Sequence, residues 1–383
     1  MDAKEARGLA RFAKRYVLPI VIGLLLFVGI VGGSMWYALS GVGRSAPPVS
    51  SFGIPTGATS TIATSTSMIA RHIDGVMVMP GADALPSFAV MIDGHADARP
   101  VSGLSQANLV FDVPVEGGIT RYMAVFDASS TATQIGPVRS AREYFVELAV
   151  GMGAVYGHVG GSPQALDTIK GLSSFRDLNE YYNGQYYWRS TDRVAPHNAY
   201  TSMDQLNTAY TAKNWTPGQL ASWTYKDDDT IDGAASTTAR GTAQGPGLTY
   251  AIPYGIKWSY DRPSNEYVRR LNGQAQNDAE GGAAISAKNV MVVSMPTTLM
   301  DSYGRLAMPT TGRGTAVLYR DGYAFQCVWR RTAGGMLHFE TIDGSDALFD
   351  RGTTWVEIVG DPTVFNFAAS TAGIVLPKDV ATP

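Results

Sequence analysis

The chain has 383 residues, with 30 Lys and Arg against 33 Asp and Glu, a formal charge of −3, 42 glycines and one cysteine. A composition that is 45% hydrophobic and 10% aromatic can fill a core, which excludes wholesale disorder. Near-neutral charge excludes the dense basic face of a nucleic-acid binder, and the lone Cys327 excludes an internal disulfide or a cysteine-based zinc cluster.

Residues 1–15 form a basic tail with Lys4, Arg7, Arg11, Lys14 and Arg15, and no charge follows from Val17 to Leu39. That run matches the ~20 residues that cross a ~30 Å hydrocarbon layer, so 16–39 is predicted to be a transmembrane helix. Lys and Arg dominate its N-terminal flank, and only Arg44 lies close behind it. The imbalance places the N-terminus in the cytoplasm and the rest of this single-pass cell-membrane protein outside. A cleaved signal peptide shares the basic start and apolar run. Length and the Trp36-Tyr37 pair favour retention, and no cysteine adjoins the segment to carry a lipid. Residues 40–80, rich in Ser, Thr, Gly, Ala and Pro, read as a flexible tether.

From 86 to 212, short apolar runs at Phe88–Ile92, Asn108–Val113, Arg121–Phe126 and Ala154–Val159 read as strands. Ser140 and Glu143 stand at capping-box spacing before Phe145, Leu148 and Met152, which predicts a helix opening at Ser140. A second helix is predicted after Gly160-Gly161, with Ser162 as cap and Pro163 at its first position. This order gives an α/β domain, with α+β as the alternative. Residues 213–249, rich in Gly, Ala, Thr and Asp, read as a connector whose Asp227-Asp228-Asp229 run is a solvated acidic turn. Residues 250–362 show the turn dipeptides Asn272-Gly273, Asp321-Gly322 and Asp343-Gly344 between strand-like runs, predicting a smaller β-rich domain. Trp258, Trp329 and Trp355 belong to its core or rim, Cys327 reads as a buried inert thiol, and 363–383 is a tail.

Polar residues gather at the ends of these elements. Arg139 and Arg142 bracket Ser140 where a helix dipole is already positive, a placement that makes sense if an anion binds there. Gly161 and Ser162 open the next helix and could supply N–H and hydroxyl contacts, and His158 ends the strand that feeds it. Arg121 follows Glu116-Gly117-Gly118, and Arg193, His197 and Asn198 share a polar loop before a helix capped by Ser202. In open sheets such turns converge at one edge. Glu116, Asp93 and Ser140 form a second rank, the two carboxylates as a pair, or as ligands for a divalent ion that would accompany only a pyrophosphate. For each residue alone, a cap or surface ion pair explains it as well. His72, His95 and His338 read as surface or core histidines. No GxSxG, HExxH, P-loop or dinucleotide fingerprint occurs, so no catalytic residue, metal site or cofactor is implied.

The stretches ADARPVSGLSQANLVFDVPVEGGITRYMAVF, IGPVRSAREYFVELA, HVGGSPQAL and RVAPHNAYTS resemble the YerB-like family, bacterial proteins with paired DUF3048 domains. WSYDRPSNEYVRRLNG, AKNVMVV, YRDGYAFQCVWRR and RGTTWVEIV echo its C-terminal half. The resemblance implies a membrane-anchored or lipid-anchored cell-envelope protein. A fainter likeness joins TRYMAVF, IGPVRSAR and GGSPQAL to the LytR-CpsA-Psr family, whose extracytoplasmic domains hold a polyprenyl pyrophosphate and transfer glycopolymers. Its acidic residue before the strand is unmatched by Ile119-Thr120-Arg121. The combined expectation is an anchored extracytoplasmic protein that binds a phosphorylated lipid, wall polymer or other acidic ligand. The alternatives are an adaptor for another envelope protein, or a LytR-CpsA-Psr-like transferase or hydrolase.

Overall fold

The structure, a computed structural model, describes residues 67–218, 220–231, 239–251, 254–360 and 365–366. The basic tail, the membrane helix expected at 16–39, the first part of the tether and nearly all of the C-terminal tail lie outside the described residues. Among those described, no helix is long and apolar enough to cross a membrane.

Strand β1 (Ser87–Ile92) sends Phe88, Val90 and Ile92 to one side and Ala89 and Met91 to the other, all fully buried. Apolar residues on both faces require a sheet covered on both sides. Strands β2 (Leu109–Pro114) and β3 (Thr120–Asp127) pair antiparallel, and β3 continues antiparallel onto β1. Strands β4 (Val155–His158) and β5 (Arg176–Asn179) extend the sheet in parallel from β1. Helix α1 (Glu143–Gly151) packs Phe145, Leu148 and Ala149 on the Ala89 face, and α2 (Pro163–Gly171) makes the crossover from β4 to β5. Helix α3 (Met203–Ala212) covers the other face with Met203, Leu206 and Ala209.

The second half begins with an antiparallel meander of β6 (Gly247–Ala251), β7 (Tyr254–Asp261) and β8 (Glu266–Leu271). Leu248, Ile256, Trp258 and Tyr267 of this meander share the α3-side core with Val110, Tyr122 and Trp355. Strands β9 (Asn289–Ser294), β10 (Gly312–Arg320), β11 (Tyr323–Arg331), β12 (His338–Thr341) and β13 (Thr354–Val359) join the large sheet instead. Its ten strands run β12-β11-β10-β9-β13-β2-β3-β1-β4-β5. The seam between the halves is parallel, Thr354 opposite Leu109 through Glu357 opposite Asp112. Asp321 and Gly322 turn β10 into β11 with φ of 51° and 70°, the left-handed pair that a tight hairpin needs.

The molecule is mostly β. The α/β expectation for 86–212 is corrected because only β4 and β5 follow helices, while β1, β2 and β3 form an antiparallel ribbon. The expected second unit contributes five strands to the sheet of the first. Within the tether, Ile69–Ala70 pairs with Met77–Val78, and Arg71 binds Asp74 at 2.5 Å, so residues 67–80 are ordered rather than free. In the connector, Trp223 stacks on Phe349 at 4.6 Å and Thr224–Lys226 pairs with Leu348–Asp350. The acidic run is tied down: Asp227 to Arg351, Asp228 to Lys288 and Asp229 to Lys226. Trp258, Trp329 and Trp355 are core residues, and burial pushes the Cys327 thiol up to about 11.

At the seam, Asp112 and Glu357 are register partners with no exposure, and Arg269 of β8 reaches both. Arg269 Nη2 donates to Asp112 Oδ2, its Nε lies 3.3 Å from Glu357 Oε1, and Trp258 Nε1 donates to the same Oε1 at 2.9 Å. One buried cation thus serves two buried carboxylates, and the second negative charge is penalised. Burial, then the charge of Asp112, pushes Glu357 up to about 8, and burial raises Asp112 as well. The pair therefore retains a proton that the unfolded chain releases near 4.5, the ordinary glutamate value. Its stabilising contribution is complete below that pH and is lost as pH rises through about 8. Glu357→Gln, which imitates the protonated acid, is expected to flatten the fall in melting temperature between about pH 6 and 9. A decline equal to that of the parent would put the retained proton elsewhere.

Candidate functional site

Ser140 does not cap a helix. Ala141 N–H donates to Gly160 O at 3.0 Å and Ser162 N–H donates to Ala141 O at 3.2 Å, holding this stretch extended until α1 starts at Glu143 with Arg142 as its cap residue. The same ladder draws the two predicted helix starts together. Ser162 does cap α2, accepting from Ala165 N–H at 3.2 Å, and Gly161 packs so that an added Cβ would lie 3.2 Å from that of Ala141.

A cleft of about 560 Å³ results, lined by Glu116, Arg121, Arg139, Ser140, Arg142, Gly161 and Ser162, all singled out in the sequence, together with Tyr303 and Arg305. Arg142 makes a bidentate pair with Glu116, at 2.6 and 2.9 Å. Burial opposes the Glu116 charge, yet the Arg142 hydrogen bond and charge hold its carboxyl below the usual range. Arg139 Nε lies 2.9 Å from Asp93 Oδ2, and Arg305 Nε lies 2.5 Å from Asp301. Arg121 differs. It is 4% exposed, Nη1 donates to Ser140 O at 2.7 Å, and Nε has no partner. Among the described residues no carboxylate lies within ion-pair distance of it. Burial first, then the charges of Arg142 and Arg139, bring Arg121 down to about 10.

The other candidates fall elsewhere. His158 is fully buried, Nδ1 against Gly160 O at 2.6 Å and Nε2 against Asp177 at 2.7 Å, so it braces the turn under the cleft without lining it. Arg193 and His197 line a neighbouring cleft of about 800 Å³ with Asp97 and Arg99. Arg193 donates to the carbonyls of Asp97 and Pro100, and His197 Nδ1 meets Asp93 Oδ2 at 2.7 Å. Asn198 lines neither, being spent on Ser190 O and Arg189. The single hollow expected from the sequence is thus two clefts, bridged by Arg139, Asp93 and His197. Arg305 and Tyr303 were missed. The turn Asp301-Ser302-Tyr303-Gly304, where Gly304 has φ 80°, marks a loop but not its destination.

Comparison with known proteins accords with this architecture. The family model described as "Protein of unknown function (DUF3048) N-terminal domain" matches residues 75–216, and that of the DUF3048 C-terminal domain matches 248–356. YerB of Bacillus subtilis (strain 168), which carries a lipoprotein name, is 30% identical over 280 residues, covering 71% of this chain and 81% of that protein. The crystal structure of the Bacillus subtilis YerB protein superposes with a TM-score of 0.69 at 26% identity, over 78% of this chain and 99% of the other.

Proposed function

The chain belongs to the DUF3048 family, and from that premise we propose that it is an anchored envelope protein that binds a phosphorylated or acidic ligand in the Arg121 cleft. The carrying observation is Arg121: a buried guanidinium beside two others, with no carboxylate within ion-pair distance among the described residues and only the more distant pull of Asp93 and Glu116. Crowding like charges away from water is unfavourable unless a counter-anion completes the site. The start of α2 adds positive potential on the same cleft. A lipid phosphate or wall glycopolymer fits this chemistry, and the LytR-CpsA-Psr likeness enters only as that ligand class. Anchoring is supported by the uncharged run Val17–Leu39 behind a basic tail and by the lipoprotein name of the relative.

Calorimetric titration with inorganic phosphate, pyrophosphate and undecaprenyl phosphate tests the reading. Arg142→Ala is expected to weaken the bound anion roughly 10-fold or more, the size of one lost charge-assisted hydrogen bond. Identical isotherms for parent and variant would remove the site. A second reading, a non-catalytic adaptor, is favoured by the internal carboxylates on Arg139, Arg142 and Arg305, which make these side chains struts in their own right. It requires that none of the three anions binds.

A further inference from the structure

We propose that His95, Asp97 and His197 form a site for a borderline divalent metal ion, zinc foremost, at the mouth of the second cleft. The inference is independent of anion binding at Arg121. One ligand atom from each residue lies within 4.8 Å of the others. The imidazoles of His95 and His197 stack at 5.0 Å with planes 18° apart, which brings the two rings together from distant parts of the chain; their lone pairs lie in the ring planes, so ligation requires the exposed His95 ring to turn out of the stack. Tetrahedral ligation at about 2.1 Å brings donor atoms to roughly 3.4 Å apart. His95 Nδ1 and Asp97 Oδ2 are 3.6 Å apart on side chains 43% and 74% exposed, and Nδ1 accepts from Asp97 N–H at 3.2 Å, a capping bond that ligation through this nitrogen would displace.

The surroundings supply what such a site needs beyond its ligands. Asp93, 2% exposed, accepts from His197 Nδ1 at 2.7 Å and from the backbone N–H of His95 at 2.9 Å. A carboxylate on one ring nitrogen fixes the tautomer and leaves Nε2 of His197 with a free lone pair, the arrangement that supports metal-bound histidines. The loop carrying His95 is pinned at Gly94, where an added Cβ would strike Thr120 O at 1.9 Å. His95 also opens the short helical turn Ala96–Ala98 that sets Asp97 beside it. Two imidazoles and one carboxylate suit zinc and leave a coordination position open. Asp97 and His197 line the cleft together with Arg99 and Arg193, so an anionic oxygen would be the natural fourth ligand. The sequence showed no metal spacing because one histidine lies a hundred residues from the other two ligands.

The test is a titration of the tag-free full-length protein with Zn2+ by calorimetry, and with Co2+ followed by its visible absorption. One equivalent is expected, with a tetrahedral Co2+ spectrum. Asp97→Asn and His197→Gln are each expected to weaken binding roughly 10-fold or more, while His72→Gln and His338→Gln leave it unchanged. Asp97 is exposed, so Asp97→Asn is expected to melt with the parent and to separate lost ligation from lost folding. Absence of a stoichiometric ion in the parent overturns the proposal, as does binding that ignores both ligand substitutions. Retention of Zn2+ by Arg121→Met would show that this site stands even if the anion cleft fails.

Discussion

Arg269→Met is expected to destabilise the protein by about 4 kcal/mol, the range for removing one partner of a buried ion pair. The arginine has no exposed surface and links Asp112, Glu357 and Gln276, with Trp355 5.0 Å beneath its guanidinium. Methionine fills much of the volume but leaves two carboxyls at the seam without a cation, so both must stay protonated or draw in water. Pairing Arg269→Met with Asp112→Asn and Glu357→Gln removes the charges together and is expected to recover most of the loss. Urea denaturation of the single and triple variants decides the matter. Equal midpoints would mean that packing, not charge, underlies the effect.

Arg121→Met carries the opposite sign. Bringing this arginine from its ordinary value down to about 10 corresponds to roughly 3 kcal/mol against its charged form in the folded state. The hydrogen bond to Ser140 O and the packing of the side chain offset part of that. Replacement is therefore expected to stabilise the protein by about 1 kcal/mol, raising the melting temperature by about 2 °C. The same change is expected to weaken anion binding about 100-fold, because a charge-assisted contact is lost where the counter-charge is least satisfied. A gain in stability joined to a loss of binding is the signature of a residue kept for function. A drop in melting temperature would make Arg121 a strut and defeat the binding reading.

The local devices of this fold were legible in the sequence. The apolar run of β1, the Ser162-Pro163 helix start, the Ser202 cap and the Asn272-Gly273 and Asp321-Gly322 turns all act within a few residues. So was the polar rim from Glu116 to Ser162, because those residues end elements adjacent in the chain. What escaped depends on long-range register. Ser140 resembled a helix cap because its spacing to Glu143 is right, but the Gly160–Ser162 segment holds that backbone extended. Arg305 reaches the cleft, and joins Gln164 at 3.0 Å, across more than a hundred residues. His95 looked like a lone histidine until the fold stacked His197 on it.

Strand β13 is nearly the last segment described, yet it lies in the middle of the sheet, hydrogen-bonded to β9 on one side and β2 on the other. While the nascent chain emerges, the outer rim of β2 has no neighbour until residue 359 has been made. At ~5–20 residues per second, that interval lasts on the order of 10–50 s. A bare rim of this kind recruits foreign strands, so prematurely terminated or clipped products would be the adhesive species. Closure of the β2–β13 seam is therefore a late step in the life of the chain, whatever the N-terminal strands have formed before it.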